Sequence, residues 1–73
     1  MDIENRILRM ISVYSNIPNI KPEFSFRDDL GLDSLGMIEL AMEIEASLDL
    51  NISDEDMEKW TTIQDIIDYV KHG

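Results

Sequence analysis

Apolar residues recur at helical spacing at the start of this chain, at Ile3, Ile7, Met10, Ile11 and Tyr14, which predicts a first helix from Ile3 to Tyr14 with Asp2 as its N-cap. From Ser15 to Leu32 the periodicity stops. Pro18 and Pro22 each lack a backbone donor and restrict the residue before them. This connection exceeds the about 2–8 residues usual between bundled helices. Phe24, Phe26, Leu30 and Leu32 supply enough apolar surface to pin it, so it reads as an ordered crossing loop.

A second helix is predicted from Ser34 to Leu48, with the Asp33 carboxylate at the positive end of its dipole. Met37, Leu40, Ala41, Ile44 and Leu48 form one core stripe. A second apolar line, Leu35, Ile38 and Met42, lies beside it, and so small a bundle cannot easily bury both. The second line is therefore expected to be partly exposed. Ser53 followed by Asp54-Glu55-Asp56 signals a short third helix, about Asp54 to Lys59, with Met57 and Trp60 as its apolar contacts. Thr61 and Gln64 fit a capping box for a fourth helix reaching about Lys71, with Ile63, Ile66, Ile67 and Val70 inward. No strand pattern, internal repeat or low-complexity segment interrupts this order. The expected fold is all-α: a four-helix bundle of three longer helices and a short third one, in a single domain spanning 1–73.

Composition narrows the function. Seventy-three residues make one small domain, and the 44% hydrophobic content suits a globular rather than a disordered chain. With no Cys, disulfides, thiolate zinc sites and cysteine nucleophiles are excluded. The segment MDIENRILRM does not resemble a signal peptide, and no stretch is long and apolar enough to insert in a membrane, so a cytoplasmic protein is expected. The formal net charge of -10 opposes nucleic-acid binding, since phosphate would be repelled. It also disfavours self-association, so a monomer is expected. From Asp28 through Glu58 there is no Lys, Arg or His, while acids fall throughout. Such a run is commonly a solvated face. Its confinement to the middle of the chain favours a docking surface for basic partners.

Catalysis has little to work with. The lone histidine, His72, lies near the C-terminus, so no nucleophile–base pair is suggested, and carboxylates are too abundant for any pair to be informative. Neither Asp28-Asp29-Leu30-Gly31 nor Asp54-Glu55-Asp56 has the order of a calcium loop, so no dedicated metal site is expected. Ser34, at the mouth of the second helix, would by itself read as an ordinary first-turn serine.

The surrounding blocks change that weighing. Phe26, Asp29-Leu30-Gly31 and Asp33-Ser34-Leu35 together resemble the attachment motif of the acyl carrier proteins. Ile38-Glu39-Leu40, Glu43-Ile44-Glu45, Asp54-Glu55-Asp56 and the run from Thr61 to Val70 are similar to that family's later helices, in register and without insertion. The resemblance implies that a separate phosphopantetheinyl transferase attaches 4'-phosphopantetheine, taken from coenzyme A, to Ser34, with Asp33 part of the surface it reads. Acyl intermediates would ride on the imported thiol as thioesters. They would be delivered to acyl-transfer, condensing and reducing enzymes of fatty-acid, polyketide or related lipid synthesis. By the same resemblance Leu35, Ile38 and Met42, flanked by Glu39 and Glu45, would dock basic patches on these partners. Ile44, Leu48, Ile52, Trp60 and Ile66 would line an acyl cavity. An aminoacyl or peptidyl carrier, for example of D-alanine, and an unmodified acidic interaction module remain the alternatives. Gly36, Ala46, Ser47, Asp49, Ser53 and Trp60 depart from the family's common residues and hint at a specialised carrier, with Trp60 filling part of the cavity.

Overall fold

The computed structural model describes residues 2–72. It contains four helices: α1 (Ile3–Ser15), α2 (Ser34–Leu48), α3 (Asp54–Glu58) and α4 (Ile63–His72). Helix α1 packs against both α4 and α2, and α3 leans on α2. Their shared interior is aliphatic, with Ile7, Ile11, Leu40, Ile44, Ile63, Ile66 and Ile67 fully buried. Burial of such side chains, about 1.5–3 kcal/mol each, is the main force holding this Cys-free domain together.

Local chemistry sets the helix starts. The Asp2 carboxylate accepts from the Asn5 amide at 2.8 Å, Asp33 from Gly36 at 2.8 Å, and Ser53 Oγ from Asp56 at 3.1 Å. Each side chain satisfies one of the donors a helix leaves open at its first turn. Helix α4 differs from the expectation. The Thr61–Gln64 capping box does not form. Asp65 instead accepts from the amides of Thr61 at 2.7 Å and Thr62 at 3.0 Å. A charged carboxylate one residue further on takes both donors, and Gln64 is free to donate its amide to Asp68 at 2.8 Å. The helix therefore starts at Ile63.

The helix ends explain one of the unusual residues. Asn16 and Asp49 both adopt the left-handed conformation that closes a helix, with φ of 60° and 56°. Glycine is favoured at such a position and Asp or Asn tolerate it, which accounts for Asp49. Helix α2 has no basic residue in its last turn; Arg6 of α1 reaches across and donates to the Ser47 carbonyl at 2.9 Å.

The long loop between α1 and α2 is ordered by burial and by hydrogen bonds. Phe26 and Leu30 are buried, Phe24 and Leu32 half-buried, and Ile20 adds a third buried anchor that the sequence pattern did not single out. Ser25 and Asp29 bond one another's turn: the Ser25 amide donates to the Asp29 carboxylate, and the amides of Asp29 and Leu30 donate to the Ser25 carbonyl. The loop is also laced to the start of α4. Phe26 donates to the Thr61 carbonyl, Ile63 to Phe24 and Gln64 to Pro22, around an isolated antiparallel bridge between Ser25 and Thr62. Two otherwise open donors of α4 are thus satisfied by the loop.

Candidate functional site

The start of α2 combines a fixed backbone with an open surface. Asp33 caps the helix through its carboxylate to Gly36, while its carbonyl accepts from Met37 at 2.9 Å. Gly36 fits closely here, since an added Cβ would lie 3.3 Å from both the Asp33 carboxylate and Leu32 Cδ2. Among the described residues the amides of Ser34 and Leu35 have no protein acceptor. Ser34 is exposed, as is Asp33. The Ser34 side chain therefore stands at a helix N-terminus whose amides and dipole favour an anion.

A cleft of about 460 Å³ opens beside it. Leu32, Met37, Ile38, Met57 and Trp60 form its apolar walls, with Arg27, Asp54 and Glu58 among its polar lining. Arg27 and Met57 gave no sign in the sequence that they share a site with Ser34, because only the folding of the loop and of α3 onto α2 brings them there.

The second apolar line of α2 is exposed: Leu35 at 63%, Ile38 at 43% and Met42 at 61%. Glu39 borders it toward α1. There the Tyr14 hydroxyl donates to the Glu39 carboxylate at 3.0 Å, with the Gly36 carbonyl at 3.3 Å. Desolvation raises the Tyr14 pKa above its ordinary 10.0, and the Glu39 hydrogen bond and charge raise it further. The sequence spacing marks Tyr14 only as an apolar position of its helix. Glu45 borders the line toward α3. It is half-buried, and its carboxylate accepts from the Ile52 amide at 2.8 Å, fastening the segment that follows α2. Among the described residues the only ion pair is Lys71 with Glu4, at 4.0 Å. Among the described residues, no cation lies within ion-pair distance of the mid-chain acids.

The five residues expected around a cavity fall into two groups. Ile44 and Ile66 are fully buried in the core. Leu48, Ile52 and Trp60 are half-buried and pack against it, and Trp60 alone of the five also lines the cleft. Tyr69 meets the Trp60 ring edge-on, with centroids 5.4 Å apart and planes at 65°.

The model of the phosphopantetheine attachment site family matches residues 5–70. The chain belongs to this carrier family. In solved structures, it is similar to a putative acyl carrier protein from Mycobacterium tuberculosis, with 30% identity over 96% of each chain and a TM-score of 0.89. The four-helix fold is that of an acyl carrier protein, and the domain is a carrier rather than an enzyme. Its prosthetic group is covalent 4'-phosphopantetheine. The carrier's geometry suits that group: an exposed hydroxyl, two free helix amides for a phosphodiester, and an apolar cleft next to them.

Proposed function

We propose that Ser34 is the attachment point of the 4'-phosphopantetheine arm and that this carrier delivers acyl groups to enzymes of fatty-acid, polyketide or related lipid synthesis. The observation that carries the reading is the exposure of the Ser34 hydroxyl on the first turn of α2, beside unpartnered amides. Once bound, the arm supplies the thiol that this Cys-free chain lacks. The Ser34 and Leu35 amides would hold its phosphate, and Asp33 would keep the helix start rigid while belonging to the surface read by the phosphopantetheinyl transferase. The apolar walls of the cleft, Leu32, Met37 and Trp60, suit the hydrocarbon of an acyl cargo, while Asp33, Asp54 and Glu58 in the same lining favour an ammonium group and keep an aminoacyl cargo as the second reading.

Partners dock on α2. Leu35, Ile38 and Met42 form the apolar centre, and Glu39 and Glu45 meet Lys or Arg on the incoming enzyme. Charges at such a rim speed encounter more than they tighten the final complex, which suits a protein that must change partners often. The charge of -10 keeps copies of the chain apart, and we expect a monomer acting in the cytoplasm.

Incubation with coenzyme A and a phosphopantetheinyl transferase should raise the intact mass by one phosphopantetheinyl group. Ser34→Ala should abolish the gain while leaving stability within about 0.5 kcal/mol, because the side chain is exposed. An unmodified native chain, or modification persisting in Ser34→Ala, would defeat the assignment.

A further inference from the structure

Trp60 belongs to two environments at once. It lines the cleft that opens beside Ser34, and it packs against the buried cluster that contains Ile44 and Ile66. It lies just past the Lys59 cap of the short helix α3, where its amide donates to the Met57 carbonyl at 3.1 Å. Tyr69 of α4 braces the ring edge-on, and the Tyr69 hydroxyl makes a long hydrogen bond of 3.5 Å to the Asn51 carbonyl. The indole is thus braced from α4 through Tyr69, whose own hydroxyl is tied to the segment before α3. Ile44 and Ile66, by contrast, have no solvent exposure.

We infer that Trp60 is the largest part of the wall between cleft and core, which it shares with Phe26, Leu32 and Met37, and so the residue that sets the length of acyl group this carrier can shelter. The inference rests on Ser34 as the attachment point. A short acyl group reaching back from the arm lies in the cleft, against the indole and the Met37 and Met57 side chains. A longer one can enter the bundle only by displacing part of this wall, in which the Trp60 ring braced by Tyr69 is the bulkiest piece, and opening a packed interior, which interiors at native density resist. The extra length stays in water or against a partner enzyme. Cargo is therefore short, and long chains are carried unsheltered.

The test begins by loading the native protein with butanoyl, octanoyl and hexadecanoyl arms, with attachment at Ser34 confirmed by intact mass and peptide mapping. Failure at that stage defeats the attachment reading and is seen before any question about Trp60 arises. The isoleucine methyl and indole NMR signals are then followed along the series. The indole signals should shift with butanoyl and change little more with octanoyl or hexadecanoyl, while the Ile44 and Ile66 methyls stay where they are in the unacylated holo form. In Trp60→Leu those methyls should shift progressively with chain length, and in Trp60→Phe by an intermediate amount. Shifts of the Ile44 and Ile66 methyls in the native octanoyl form would overturn the inference, as would an indole indifferent to every chain. The native series decides this without the variants, whether or not Trp60→Leu folds.

Discussion

Helices α4 and α2 use their apolar residues differently. Helix α4 keeps its aliphatic residues inward: Ile63, Ile66 and Ile67 are fully buried, Val70 is half-buried, and Asp68 and Lys71 face out. Helix α2 buries Leu40, Ala41 and Ile44 and still leaves Leu35, Ile38 and Met42 in water. Folding accounts for every large aliphatic residue of α4. It accounts for only one side of α2, and the other side, lying against the proposed attachment point, is available for a partner.

The sharpest way to break this comparison is to truncate the inner face of both helices and the outer face of α2. Ile66→Ala in α4 and Ile44→Ala in α2 should each cost about 2–5 kcal/mol. That is comparable to the whole stability of a domain this small, a few kcal/mol, so circular dichroism should show extensive unfolding. Leu35→Ala and Ile38→Ala should leave the unfolding midpoint nearly unchanged, within about 0.5 kcal/mol. The same two variants should weaken binding to the transferase by about 1 kcal/mol or more each, roughly fivefold, measured by titration. Equal destabilisation by inner and outer truncations would mean that the exposed line serves the fold after all.

The helix starts offer a finer comparison. Asp33→Ala removes one capping bond and should cost about 1 kcal/mol. Asp65→Ala removes two, to Thr61 and Thr62, and should cost more, about 1–2 kcal/mol, in denaturant melts. The smallest effect is on pH dependence. Tyr14 and Tyr69 both have pKa values raised above 10.0, chiefly by desolvation and then by a neighbouring carboxylate, Glu39 for Tyr14 and Asp56 for Tyr69. The folded state therefore retains these protons after the unfolded chain has lost its own. Their contribution is complete below pH 10.0 and declines as pH rises above it. Tyr14→Phe should flatten the alkaline decline in the urea midpoint.

The sequence revealed what is local. Asp2, Asp33 and Ser53 cap the helices they precede, because a cap needs only a suitable oxygen three residues before a free amide. The two stripes of α2 could be separated by their spacing alone. What it concealed was settled by contacts across the chain. Asp65 displaced Thr61 and Gln64 at the start of α4 because the adjoining amides of Ile63 and Gln64 had acceptors in the loop. Glu45 fastens Ile52, and Tyr14 reaches Glu39, across separations that no periodicity encodes. Arg27 joins the cleft for the same reason.

The lacing between the α1–α2 loop and the head of α4 has a mechanical consequence. On the proposed reading, a partner enzyme grips this carrier by α2 and passes it on to the next. Because Phe26 hangs from the Thr61 carbonyl, and Ile63 and Gln64 hang from Phe24 and Pro22, a pull on the strap leading into α2 is borne by α4. The load lands one residue from Trp60. Traction at the proposed tether is thereby felt at the wall of the cleft beside it.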